Sequence, residues 1–97
     1  MFETGTNVLV CDSIRGFYFG TLATKFTGDE NSVYLHNARH AFNFDTTTGV
    51  YELSTKGPGK YAKVGPVMKK FIVRNVSNVA ECEEAAVKAW NKAAWAK

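Results

Sequence analysis

Apolar and polar residues alternate with a period of two through most of the first half of the chain. The stretches Phe17–Lys25 and Ser32–His36 show this pattern, which is typical of strands with one buried face. Before them, Asn7–Asp12 is rich in β-branched residues and follows Gly5, so it predicts a first strand. Short polar turns separate the three stretches, so they predict an antiparallel meander. Gly20, inside the second stretch, indicates a bulge or a bend, because glycine weakens a strand unless the backbone must curve or approach another group closely.

The alternation returns in two later stretches. Ala41–Phe44 predicts a fourth strand, after the polar residues that follow His36. Val67–Val76 predicts the last long strand, which reaches Val79 if a bulge lies near Asn75.

The region between these later strands is less regular. Val50–Thr55 fits either one or two helical turns or a further strand, and we favour the helical turns. Lys56–Pro66 contains three glycines and both prolines of the chain. Prolines remove backbone donors and glycines allow positive φ, so this segment predicts an irregular loop.

The C-terminal segment predicts a helix that begins between Ser77 and Cys82. Glutamates lie near its start and lysines near its end, which suits the helix dipole. At about 100° per residue, one apolar face is shared by Cys82, Ala86, Ala89, Trp90 and Ala93. This face predicts close packing on the sheet, with Trp90 as its large side chain. Trp95 projects from the other side, either as a frayed end or as a subunit interface.

These elements predict a single α+β domain over residues 1–97. Its architecture would be a curved, mainly antiparallel sheet of about five strands, small-barrel-like in the N-terminal half, with the C-terminal helix packed on it. An apolar content of 45% in 97 residues favours one packed core over disorder. No run approaches the roughly 20 apolar residues of a membrane span, and the start lacks a signal-peptide pattern. We therefore expect a cytoplasmic protein.

Catalytic and metal-binding chemistry is disfavoured. Cys11 and Cys82 have no CxxC spacing, so free buried thiols are favoured over a disulfide or a metal site. His36 and His40 are four residues apart, but Asn37 stands where a zinc-protease motif has its glutamate. Aspartates at strand ends are typical turn-capping residues, and no nucleophile motif is present. The sequence predicts a protein that is not an enzyme and has no metal or cofactor.

Positive charge is concentrated in the second half of the chain. The net charge is only +3, yet no acidic residue lies between Glu52 and Glu81. This interval contains Lys56, Lys60, Lys63, Lys69, Lys70 and Arg74. Such a stretch is either an ordinary solvated surface or a positive potential that attracts phosphate groups.

The polar residues after the third predicted strand are the candidate ligand-binding site. Arg39 carries a planar guanidinium able to bind a phosphate through two hydrogen bonds, and Asn37 could pair with a base edge. Tyr18, Phe42 or Phe44 could stack on a nucleobase. The full predicted set is Asn37, Arg39, His40, Arg15, Tyr18, Lys56 and Lys60.

Structural roles for the same residues remain open. Asn37 suits a left-handed turn, Arg39 could pair with a carboxylate, and the phenylalanines could lie in the core. Arg15, on the first hairpin, and Lys56 and Lys60, on the loop, would close over a ligand if the site is real.

Several short motifs occur in a distinctive order along nearly the whole chain. They are Gly20-Thr21-Leu22, Val33, Leu35, Asn37-Ala38-Arg39, Cys82 and Glu84-Ala85-Ala86. With these residues the chain resembles a group of small proteins carried by tailed bacteriophages. It departs from them at His40, where they tend to have a basic or apolar residue, and in a shortened segment before Lys56–Lys60. The resemblance implies a phage accessory protein, expressed in the bacterial host cytoplasm and directed at the host, as in anti-defence.

Two classes of function follow. One is a binding protein that sequesters a nucleotide-like, phosphate-bearing host signalling ligand or binds nucleic acid. The alternative is a protein–protein interaction or virion protein, acting on a host or virion partner through the sheet edge and the C-terminal helix. In the second case Trp95 would lie in the interface, and a homo-oligomer is one such assembly.

Overall fold

A computed structural model describes residues 2–14, 16–43, 50–59 and 62–93 of the protein. Its elements are β1 (Asn7–Asp12), β2 (Phe17–Leu22), β3 (Ser32–Asn43), a 3-10 helix (Val50–Ser54), β4 (Lys63–Val64), β5 (Met68–Arg74), β6 (Val76–Glu81) and α1 (Glu84–Lys92). No helix in the described ranges is long and apolar enough to span a membrane.

The six strands form one antiparallel sheet. Its order is β4-β3-β2-β1-β6, and β5 pairs with the same edge of β3 as β4 does, farther toward the start of β3. β5 lies at one side of the sheet and β6 at the other, yet only Asn75 separates them in the sequence. The sheet must therefore curve to bring its two sides together. The mainly antiparallel sheet is as predicted, with six strands instead of about five. The pairings do not close the sheet, so the small-barrel-like shape stays a prediction.

The long strand β3 bulges at Asn37. Opposite it on β2, Thr21 pairs with His36 and Phe19 pairs with Arg39, so two residues of β3 face Gly20 alone. Asn37 has a φ of 54°, in the left-handed region that asparagine tolerates better than most residues. The bulge that Gly20 predicted is therefore present. The predicted break after His36 is wrong, because the strand continues through the bulge.

Side chains on the two faces of the sheet pack into two separate hydrophobic clusters. Leu9 and Cys11 of β1 lie in the first cluster, with Phe19, Ala41, Leu53, Val64, Cys82, Ala86 and Trp90. Val8 and Val10 point the other way, into the second cluster with Leu22, Phe26, Val33, Leu35, Ala38 and Val73. The helix and the 3-10 helix cover the first face.

The helix packs through the face that its sequence predicts. Ala86 and Trp90 are fully buried, and the Trp90 ring stacks on Phe19 with centroids 5.2 Å apart. The helix also lies directly against Gly57, where an added Cβ would be 2.6 Å from the Ala89 side chain. Because Gly57 also has a φ of +81°, no other residue fits this contact without strain.

Several predicted boundaries need correction. The second strand ends at Leu22, short of Lys25, and α1 begins at Glu84, after the predicted window. The predicted last strand is two strands, because Asn75 adopts a φ of 55° and redirects the chain. The predicted irregular loop contains the short strand β4. The favoured helical turns after Val50 are present, as the 3-10 helix.

Candidate functional site

A surface pocket lies where β2, the second half of β3 and the start of β5 meet. Its volume is about 230 Å³, and it is lined by Tyr18, His40, Phe42, Gly65, Pro66, Met68 and Phe71. We call it the aromatic pocket. Its rings contact one another: Tyr18 stacks on His40 at 4.7 Å between centroids, and His40 meets the edge of Phe42 at 4.6 Å. Tyr18 also lies 5.1 Å from Phe71.

The bulge at Asn37 brings these rings together. In unbroken alternation Ala41 would share a face with Val33 and Leu35, yet it packs in the first cluster while they pack in the second. The extra residue shifts every later side chain of β3 to the opposite face. His40 consequently lies beside its cross-strand partner Tyr18.

One carboxylate lies behind the Tyr18 and His40 pair. Asp12 accepts backbone N–H hydrogen bonds from Ile14 and Gly16, at 3.1 and 2.6 Å, and the Tyr18 hydroxyl donates to it over 3.5 Å. Burial, and then the negative charge of Asp12, raise the pKa of Tyr18. Burial lowers the pKa of His40, and Asp12 only partly opposes this shift. The aromatic pocket therefore presents a neutral imidazole and a neutral phenol at pH 7.

A second concavity lies on the opposite face of the sheet from the aromatic pocket. It has a volume of about 330 Å³ and is lined by Ala23, Thr24, Tyr34, Leu35, His36, Lys70, Phe71 and Ile72. We call it the Tyr34 concavity. Leu35 and Phe71 pair across the strands and pack with the second cluster, as does Tyr18 of the aromatic pocket. Tyr34, His36, Lys70 and Ile72 alternate with them and point to the other face, so the two depressions share Phe71 from opposite sides of the sheet. Tyr34 pairs across the strands with Ile72, and His36 with Lys70.

Exposed cations lie along β5, and one of them, Lys70, lines the Tyr34 concavity. Lys69 and Lys70 lie between Met68 and Phe71 of the aromatic pocket, and both are exposed, as is Arg74. Within the described ranges, the ion pairs that form are Lys25 with Glu3 and Lys88 with Glu84. The β5 cations are thus not neutralised by any carboxylate of those ranges.

The structure separates the predicted site residues. Tyr18 and His40 lie together in the aromatic pocket. Asn37 is exposed at the bulge, and Lys56 is exposed after the 3-10 helix, but neither lines the aromatic pocket or the Tyr34 concavity. Arg39 is only 6% exposed and points toward helix α1, where its Nη1 donates to the Trp90 carbonyl. Its role as a direct ligand contact stays a prediction, and the geometry does not favour it.

Other predictions cannot be compared with the structure. Arg15, Lys60 and Trp95, together with the candidate stacking residue Phe44, lie outside the described residues.

Half of the aromatic pocket was absent from the sequence prediction. Phe71, Met68, Gly65 and Pro66 come from β5 and the segment before it, which pairs with β3 only through long-range contacts. The available signal was Phe71, a large aromatic residue beside two lysines, in a stretch that was interpreted as an ordinary strand.

Both cysteines are buried in the first cluster and form no disulfide. Burial, assisted by the charge of Glu81, raises the pKa of Cys82 to about 12. At neutral pH this thiol is therefore fully protonated and a poor nucleophile.

Comparison with known proteins identifies a domain family. Residues 5–90 match the family described as "Domain of unknown function (DUF6948)". No curated protein and no solved structure matches the chain. The match says nothing of source, so the resemblance to phage proteins stays a prediction. The family match spans most of the chain, including both depressions, and this protein therefore belongs to the DUF6948 domain family.

Proposed function

We propose that this protein is a non-enzymatic binding protein for ligands that combine a nucleobase with phosphate, either a free nucleotide or single-stranded nucleic acid. The observation that carries the proposal is the pair of depressions, each with an exposed aromatic ring, that share Phe71. One offers the exposed ring of Phe42, and the other offers the exposed ring of Tyr34 together with Lys70.

Exposed rings in a concave surface favour stacking. Phe42 is 59% exposed and Tyr34 is 47% exposed, and both belong to strand β3. Aromatic side chains placed in this way accept the flat face of any base, and each stacked base contributes about 1–3 kcal/mol to binding. A pocket of about 230 Å³ suits one such ring.

The phosphate would bind on the side of Lys70. This side chain lines the Tyr34 concavity next to Phe71, and its neighbour Lys69 is also exposed. A base on Tyr34 and a phosphate at Lys70, which line the same concavity, fit one nucleotide. A longer strand that passes around β5 would place a second base on Phe42.

The resemblance to tailed-phage proteins supports a setting for this binding. A phage accessory protein in the bacterial cytoplasm would sequester a host signalling nucleotide or bind host or phage nucleic acid. This biological role is part of the proposal and depends on the ligand.

Truncation of one stacking ring tests the proposal. We expect Phe42→Ala to weaken binding of a short oligothymidylate, or of a panel of mononucleotides, by about 5- to 150-fold, which corresponds to about 1–3 kcal/mol. Fluorescence anisotropy measures the first ligand and calorimetry the second. Phe2→Ala is the matched control: Phe2 stacks on Phe26 and lines neither depression. Equal affinities for the two variants would contradict the proposal.

Salt and a lysine variant test the phosphate contact. If Lys69 and Lys70 each contact a phosphate of the strand, oligothymidylate affinity should fall about sevenfold from about 50 to 200 mM salt. In Lys70→Gln the fall in affinity over this salt range should be only about 2.6-fold. Lys92 is an exposed lysine at the end of α1, and in Lys92→Gln the fall should stay at about sevenfold. Mononucleotide binding without strand binding would identify a signalling-nucleotide site.

A protein partner is the second candidate. Ile72 is 44% exposed and lies beside Tyr34, so these two side chains form an apolar surface that a protein could cover. Such an interface would hardly respond to salt, and Ile72→Asp would abolish it. Steep salt dependence would instead favour the nucleotide proposal.

A further inference from the structure

We propose that Arg39 is a positioning residue that holds one wall of the aromatic pocket, at Gly65 and Pro66, in place against helix α1. This inference rests on the proposed function, because it assigns the wall of the same pocket. It replaces the direct phosphate contact that the sequence predicted for Arg39.

Two hydrogen bonds connect Arg39 with distant parts of the chain. Its Nε donates to the Gly65 carbonyl at 2.8 Å, and its Nη1 donates to the Trp90 carbonyl at 2.6 Å. Trp90 is itself fixed, since it is fully buried and its indole N–H donates to the Leu53 carbonyl at 2.9 Å. The guanidinium therefore connects the segment before β5 to the most firmly packed turn of the helix.

Gly65 lies at the wall of the aromatic pocket. Its N–H donates to the His40 carbonyl at 2.7 Å, while its carbonyl accepts from Arg39. A Cβ added at Gly65 would be 3.3 Å from Cε2 of Phe42, so the backbone already touches this ring. The position of Gly65 thus sets how far Pro66 lies from the Phe42 ring.

The chemistry requires arginine. A guanidinium donates in several directions from one rigid plane, so it can satisfy two carbonyls that belong to different segments. Lysine has the charge but a single donor atom, and methionine would leave two carbonyls without this donor in a buried place. Among the described residues Arg39 forms no ion pair, and its burial is thus explained by the two segments that it joins.

A ligand-free NMR signal tests the inference. The Gly65 α protons lie against the Phe42 ring, and its ring current should displace their resonance from the ordinary glycine value. Phe42→Leu should remove the displacement and so confirm the assignment. We expect Arg39→Lys and Arg39→Met to remove most of it as well. The control is Val87→Ala, which shortens a residue of helix α1 that packs against the first cluster. This variant should keep the displacement of the Gly65 resonance.

Three results would overturn the inference. The first is a Gly65 signal in both Arg39 variants identical to that of the wild type, which would mean that the His40 contact alone holds the wall. The second is a loss of the signal in Val87→Ala to the same extent, which would mean that any loosening of the helix has this effect. The third is failure of both Arg39 variants to fold, judged by circular dichroism, which would assign Arg39 to folding alone.

Binding measurements separate this inference from the proposed function. If the wild type binds oligothymidylate, Arg39→Lys should weaken binding about fivefold or more, as for the loss of one stacked base, while Val87→Ala should not. If the wild type binds neither oligothymidylate nor mononucleotides, the proposed function fails. The Gly65 signal still decides whether Arg39 positions the wall.

Discussion

At the scale of single residues, His40 shows how surroundings set the chemistry of the pocket. Its imidazole lies between the Tyr18 and Phe42 rings, and burial among them lowers its pKa more than Asp12 raises it. The folded protein therefore keeps this histidine neutral at pH values where an exposed histidine takes up a proton.

Stability should depend on pH through His40. In the unfolded chain a histidine titrates near about pH 6.5, whereas the folded protein takes up this proton only at lower pH. Between the two values the unfolded state binds more protons, so the free energy of unfolding falls as pH falls below about 6.5. It is fully regained above that value.

Urea unfolding from about pH 5 to about pH 7 measures this dependence. His40→Gln should flatten the slope of stability against pH relative to the wild type. Val87→Ala, which is destabilised without loss of a titrating group, should keep the wild-type slope. The same slope in His40→Gln and the wild type would contradict the assignment.

The sequence revealed some residue roles better than others. Trp90 was predicted as the helix anchor because helical spacing is a local property that the chain itself displays. Arg39 was predicted as a phosphate contact because its planar guanidinium can bind a phosphate through two hydrogen bonds. Its partners, Gly65 and Trp90, lie 26 and 51 residues away, so no local pattern contains them.

At the scale of elements, the bulge in β3 determines which residues meet. It shifts the alternation by one residue, which directs Arg39 to the helix and His40 to Tyr18. The strands predicted at Ser32–His36 and from Ala41 lie on the two sides of the bulge, and Gly20 indicated an irregularity there. The sequence could not show that these two strands are one, because a bulge and a strand end interrupt the period of two in the same way.

The left-handed conformation at the bulge should be sensitive to substitution. Asn37→Val places a β-branched residue at a φ of 54°, and we expect a loss of roughly 1–2 kcal/mol in the free energy of unfolding. Asn37→Gly accepts this conformation, so its stability should stay within about 1 kcal/mol of the wild type. Urea unfolding distinguishes the two. Equal stability of Asn37→Val and Asn37→Gly would mean that the bulge relaxes without cost.

At the scale of the whole molecule, the two faces of the sheet pack into separate hydrophobic clusters. The helix and the 3-10 helix cover one face with the first cluster, and the second cluster fills the other. The aromatic pocket and the Tyr34 concavity lie where β3 and β5 leave rings exposed. The α+β class followed from sequence periodicity. The connection from β5 to β6 through Asn75 could not be predicted from periodicity, because it depends on pairings between strands that are distant in the sequence.

A map of amide chemical shifts on the surface tests the central claim most directly. The ¹H–¹⁵N spectrum of the labelled protein is recorded while oligothymidylate or a mononucleotide is added. The account predicts that the shifts concentrate on Phe42, Gly65, Phe71 and Lys70, around the two depressions. Shifts confined to the β6 or helix surface, or no shifts with any of these ligands, would contradict it.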